Sequence, residues 1–164
     1  MSLLTAHAVK IIPFFTSPHL SSLLAFYRTY LPDFTISAHP ADSLEPTFAS
    51  IAAGPGAAAN IYIVQDTAQQ RARGSCMLML DSLGILGELH ARLGTAAAQE
   101  GLLRQGDAVE EWTGKPTSGV AVSAADGLQT AVLGPLEDKP WGYRQFDLVD
   151  LHGNMIVFFA FLDE

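Results

Sequence analysis

The sequence predicts an α+β fold in which the order strand, helix, strand, strand, strand occurs twice. Three observations predict it. Along the first third of the chain the apolar residues change period, from short β-rich runs to helical spacing and back. A similar order of elements restarts at residue 75, after a polar stretch at residues 65–74 that carries Arg71 and Arg73. Residues 140–162, PWGYRQFDLVDLHGNMIVFFAFL, read as two strands around a tight turn.

Taken in order, residues 8–16 (AVKIIPFFT) form a β-rich run. Pro13 inside it lacks a ladder donor, which predicts an edge strand or a locally irregular one. Ser17 then reads as a helix N-cap with Pro18 at the first helical position. Leu20, Leu23, Leu24, Tyr27 and Leu31 follow at helical spacing, and Pro32 ends the helix. Residues 34–38, 47–52 and 60–64 are strand-like runs separated by Pro, Asp and Ser and by the loop at residues 54–56.

In the second round, residues 75–80 (SCMLML) read as a strand. Asp81 or Ser82 caps a helix with Leu83, Leu86, Leu89, His90 and Leu93 on its apolar side. Gly84 and Gly87 weaken that helix by about 1 kcal/mol each relative to alanine, so packing has to hold it. Residues 96–112 are amphipathic without a decisive period. Residues 119–123 suggest an extra strand and residues 129–133 a better one. In the closing hairpin, residues 145–149 alternate polar and apolar, whereas residues 155–162 are almost continuously apolar, as in a strand covered on both faces. The turn DLHGN between them offers Gly153 for a positive φ and two short side chains, Asp150 and Asn154, that bond local backbone. The repeat lies in element order and not in residue identity.

At 164 residues the chain fits one domain, with a first module at about 7–66, a linker at about 67–73 and a second module at about 74–164. No apolar run approaches the roughly 20 residues of a membrane helix, and the first ten residues lack the pattern of a secretion signal. One cysteine, Cys76, suits a reducing compartment, so a cytoplasmic protein is expected. A net charge of −8 argues against nucleic-acid binding and favours a cationic ligand.

The stretches FFTSPHLSSLLAFYRTYL, SCMLMLDSLGILGELHARL and PWGYRQFDLVDLHGNMIVFF, in that order, resemble the vicinal-oxygen-chelate superfamily. That superfamily includes glyoxalase I, extradiol dioxygenases and bleomycin-resistance proteins. The resemblance covers most of the chain, apart from the linker and residues 94–128. It implies two βαβββ modules forming a cup-shaped mixed sheet with helices on the outer face, and a homodimer. It also implies metal-ligand positions, which fall on Ile12, Ser75, Val157 and, in the strand at residues 60–64, on Asn60 or Tyr62. Isoleucine and valine cannot ligate, and serine is a poor ligand, so neither a metal nor any other cofactor is expected. The five histidines, His7, His19, His39, His90 and His152, read as surface or partly packed side chains, with His39 in a loop.

If Ile12, Ser75 and Val157 face the cup, alternation along the strands places Phe14, Met77, Met79, Met155, Phe159 and Phe161 there too. The penultimate strand adds Tyr143, Gln145 and Asp147, while Phe146 and Leu148 pack on a helix. Cys76 turns the other way, towards the helix, as a buried hydrophobe. Trp141 is the leading candidate for a stacking wall, with Trp112 and Tyr62 behind it; an indole offers a cationic ligand about 0.5–2 kcal/mol.

The expected ligand-binding set is therefore Trp141, Tyr143, Gln145, Asp147, Tyr62, Phe14, Met77, Met79, Phe159 and Trp112. The leading expectation is a metal-independent binding protein that sequesters a bulky organic molecule, with Asp147, Glu137 and Asp138 as candidate charges for a cation. A metal-independent isomerase, lyase or cyclase is the alternative, with Tyr143, Asp147, Tyr62 or His39 as acid or base. A metal-dependent glyoxalase or dioxygenase is disfavoured by Ile12, Ser75 and Val157.

Overall fold

Pro13 has no N–H to give a ladder, and the first strand, β1 (Phe14–Ser17), begins just past it. The computed structural model describes residues 10–68, 73–100, 102–106 and 130–162. After β1 come α1 (Leu20–Tyr30), β2 (Thr35–His39), β3 (Phe48–Ala53), a 3₁₀ turn (Pro55–Ala57) and β4 (Ala59–Gln65). Then follow β5 (Ser75–Met79), α2 (Leu83–Glu100), β6 (Leu103–Gln105), β7 (Ala131–Leu133), β8 (Glu137–Lys139), β9 (Tyr143–Val149) and β10 (Met155–Phe161).

The strands form two mixed sheets of related topology, the second extended by β6, which runs parallel to β7. The first runs β1-β4-β3-β2, with β1 an edge strand parallel to β4 and the other neighbours antiparallel. The second runs β5-β10-β9-β7-β6, with β5 parallel to β10, so first and last strands pair in both. Strands β7 and β8 act as one interrupted strand. Val132 and Leu133 pair with Val149 and Leu148 of β9, while residues 137–139 pair with residues 145–143. At the interruption the Gly134 N–H reaches Asp147 O at 2.8 Å.

Both helices lie on one face of their sheets. α1 buries Leu20, Leu23, Leu24, Phe26, Tyr27 and Tyr30, and α2 buries Leu86 and Leu93. The opposing strand positions are Phe15, Ala49, Ile51, Ile61 and Ile63 in the first sheet and Phe146, Leu148, Ile156, Phe158 and Ala160 in the second, all in one continuous core. As expected, Phe146 and Leu148 face that core, and the Phe146 ring meets His90 of α2 at 5.0 Å. Ser82 Oγ accepts the N–H of Ile85, so Ser82 caps α2. The helix carries Gly84 and Gly87 because Leu86, Leu89 and Leu93 pack on the core.

Five sequence expectations need correction or fall out of view. Ser17 is not the N-cap: it ends β1, fully buried, and His19 holds the cap position without a side-chain bond. Ser17 Oγ does accept the His19 N–H at 3.1 Å, which satisfies a donor just ahead of the helix. His39 ends β2, paired with Phe48, and is not a loop residue. His152 is buried, for a tertiary reason given below. The strand suggested at residues 119–123, and Trp112, lie outside the described residues.

Candidate functional site

The face of the second sheet away from the helices collects seven of the ten residues that the sequence singled out, Met77, Met79, Trp141, Tyr143, Gln145, Asp147 and Phe159. Along β10, Val157 has Met77 of β5 on one side and Asp147 of β9 on the other. Phe159 likewise lies between Met79 and Gln145, and Phe161 lies opposite Tyr143. Two-residue periodicity alone puts these side chains on one face. The Tyr143 ring meets Trp141 at 5.8 Å, Phe159 at 5.0 Å and Phe161 at 6.3 Å, and Phe159 meets Phe161 at 5.8 Å. Trp141 reaches this row because the turn before β9 is tight: Gly142 takes φ +93° and its N–H returns to Lys139 O.

This face combines exposed aromatic and methionine side chains with a buried polar floor. Met77, Met79, Trp141 and Phe161 are each about half exposed (49%, 60%, 47% and 58%), although all are large and apolar. Gln145 and Asp147 are buried between them, and Gln145 Nε2 donates to Asp147 Oδ1 at 3.2 Å.

A second aromatic group sits on the first sheet. Tyr62 of β4 meets Phe14 of β1 at 5.6 Å and Phe48 of β3 at 5.0 Å, both edge-on. Phe48 was missed in the sequence because the strand around it, FASIAA, is made of small residues with weak alternation. Among the described residues no ring contact joins this group to the Trp141 row.

The metal-ligand positions that the sequence resemblance implies carry side chains ill suited to a metal. Ser75 and Val157 lie on the same open face, and Ile12 just ahead of β1, but isoleucine and valine offer no lone pair. Among the described residues no three His, Cys, Asp or Glu side chains converge. Cys76 faces the core, as expected, and burial pushes its thiol up to about 12.

Beside this face, the turn of residues 150–154 ties the two sheets together. Asp150 Oδ1 accepts the N–H groups of His152 and Asn154, the local bonding that the turn chemistry predicts. Its Oδ2 accepts the Tyr27 hydroxyl from α1 at 2.8 Å and Asn154 Nδ2 at 2.9 Å. Burial holds the Asp150 carboxyl above the usual carboxylate range, and the hydrogen bonds of Asn154 and Tyr27 pull it back. Burial, then the Asp150 charge, drives the Tyr27 phenol well above its ordinary value.

Asn154, fully buried, reaches further. Its Oδ1 accepts the N–H of Thr16 at 3.2 Å and of Gly74 at 3.0 Å, and its Nδ2 donates to Thr16 O at 2.9 Å. The side-chain amide thereby substitutes for a neighbouring strand along the edge of β1.

Two sheets that each pair their first strand in parallel with their last, with helices on one face and an open opposite face, give this chain the fold of solved bleomycin-binding and glyoxalase/bleomycin resistance/dioxygenase structures. Solved structures with that fold align with nearly the whole chain. A bleomycin resistance determinant encoded on transposon Tn5 aligns at TM-score 0.58 and 16% identity, covering 93% of this chain and 97% of that one. The bleomycin-binding protein of Streptomyces verticillus, solved with copper(II)-bleomycin, aligns at 0.54 and 17%, covering 93% and 95%. A glyoxalase/bleomycin resistance protein/dioxygenase from Nocardioides aligns at 0.53 and 17%, covering 98% and 92%. No protein-family model and no curated protein matches the chain. At these identities the likeness establishes the fold and leaves activity to the residues.

Proposed function

We propose that this chain is a metal-independent small-molecule binding protein that sequesters a bulky organic ligand, an antibiotic or metabolite, against the Trp141–Tyr143–Phe159–Phe161 row. The observation that carries the reading is the pairing of that half-exposed aromatic row with the buried Gln145–Asp147 floor. Such a surface suits a planar or cationic molecule: rings supply stacking and cation–π attraction, and the floor supplies directional polar contacts. Structures of this fold that are described as binding bleomycin support the reading. We place the protein in the cytoplasm as a single domain and a homodimer, in which a second copy covers the apolar surface that one chain leaves open.

Titration with bleomycin, followed by calorimetry and by quenching of tryptophan fluorescence, tests this. The expected result is micromolar or tighter binding that weakens in Trp141→Ala, with the circular dichroism spectrum unchanged. Absence of binding at micromolar concentration would defeat the drug-specific version. If a panel of aromatic cations also fails to bind, the binding-protein reading fails with it.

Asp147, a buried carboxylate on the same face, carries a second reading: a metal-independent isomerase, lyase or cyclase in which Asp147 or Tyr143 moves a proton. Turnover that disappears in Asp147→Asn while binding persists would make this second reading the better one.

A further inference from the structure

His152 lies where the two sheets meet and is only 5% exposed. Its Nδ1 is 2.9 Å from Ser17 Oγ of β1, and its Nε2 is buried with no hydrogen-bond partner among the described residues. The same turn delivers Asn154 to Thr16 and Gly74 and Asp150 to Tyr27. It also joins β9 to β10, the strands that carry most of the open aromatic face. A change at His152 is therefore felt at the joint and at the strands that lead from it.

We infer that this joint is an acid-sensitive latch: the neutral His152 imidazole closes it, and the imidazolium opens it. The chemistry follows from what surrounds the ring. A neutral imidazole exchanges one hydrogen bond with Ser17 and leaves one nitrogen idle. An imidazolium donates from both nitrogens. Ser17 Oγ already accepts the His19 N–H, so its hydroxyl would have to turn to take a second donor, and the Nε2–H would find no acceptor.

The neighbouring charges do not relieve it. From the N-cap of α1 the His19 ring lies 6.3 Å away. From the segment before β5, the Arg73 guanidinium lies over Gly153, so close that a Cβ on Gly153 would be 2.7 Å from it. The carboxylate in the same turn, Asp150, already receives four donors on its two oxygens. Tyr27, also buried, is one of those donors and stays protonated. Asp66, past the end of β4, meets Ser17 through its backbone N–H.

In line with this geometry, burial first, and then the charges of His19 and Arg73, lower the His152 pKa from 6.5 to about 4. A base whose pKa is depressed in the closed state is protonated first in the open one. The closed joint is thus fully favoured above about pH 6.5 and loses ground as pH falls towards 4. The open form gains about 30-fold by pH 5 and about 160-fold by pH 4.

The test combines a proton NMR titration of the histidine Cε1–H signals with hydrogen exchange at the Thr16 and Gly74 amides, corrected for intrinsic rates, at pH 7 and pH 5. His152→Asn, which keeps a polar group near Ser17 and cannot titrate, is the comparison. The expected result is a His152 midpoint below 5. Protection of both amides should fall about 30-fold at pH 5 in the parent chain and far less in His152→Asn. A midpoint at or above 6.5, or equal acid loss in the variant, would overturn the latch. If the variant does not fold, the titration of the parent chain decides alone, by the same two midpoints.

Discussion

Replacing Asn154 with alanine removes the side chain that joins the sheets, and its cost can be worked from the structure. Four hydrogen bonds disappear: from the Thr16 and Gly74 N–H groups, to Thr16 O and to Asp150 Oδ2. Asp150 Oδ2 keeps the Tyr27 hydroxyl, so the loss falls mainly on three backbone groups. A buried polar group left without a partner costs about 1–3 kcal/mol, less where water can enter. We therefore expect a loss of about 3–6 kcal/mol, a large share of the roughly 5–15 kcal/mol that stabilises a typical domain. Urea denaturation followed by far-ultraviolet circular dichroism reads it directly, as a lower midpoint at an unchanged slope. Asn154→Asp sharpens the test, since a carboxylate cannot donate to Thr16 O or to Asp150, both 2.9 Å away. It should be at least as destabilising at pH 7. A loss under about 1 kcal/mol in Asn154→Ala would refute the reasoning, because water would then be doing what the amide is credited with.

Three further outcomes are expected. Gly74→Ala should lose about 1–3 kcal/mol in the same assay, because its Cβ would stand 2.4 Å from both Phe14 O and the Phe15 ring. Phe158→Ala, fully inside the core and stacked on Phe146 at 5.1 Å, should lose about 3–5 kcal/mol, whereas the half-exposed Trp141→Ala should change stability by less than about 1 kcal/mol and act on ligand affinity instead. Cys76 should react with iodoacetamide at pH 8 far more slowly in the native protein than in urea, since only the native fold pushes its thiol up to about 12; equal rates would show that the thiol is not held in the core.

Much of this was legible because it is local. The Gln145–Val149 alternation, the apolar run after Met155 and the leucine spacing of α1 each follow from a repeat of two or 3.6 residues, and the structure places strands and a helix there. The same periodicity correctly sorted Met77 and Met79 from Cys76 and Leu78, and Tyr143, Gln145 and Asp147 from Phe146 and Leu148. Strands β7 and β8 were harder to see. Three residues each are too few to show a period, and they are strands because β9 pairs with both.

Sequence alone determined the element order of the first module and the closing hairpin, the two faces of the longer strands and the donor-poor residues at Ile12, Ser75 and Val157, since these depend on residue type and near neighbours. Tertiary structure decided what the closing turn is for. Asn154 has the chemistry of a turn residue, yet Oδ1 finds its partners 138 and 80 residues away. His152 has the composition of a surface residue, yet β1 closes over it through Ser17. Hydrogen-bond partners at such separations, and the burial that makes them matter, are set by how the sheets pack, which no local period encodes.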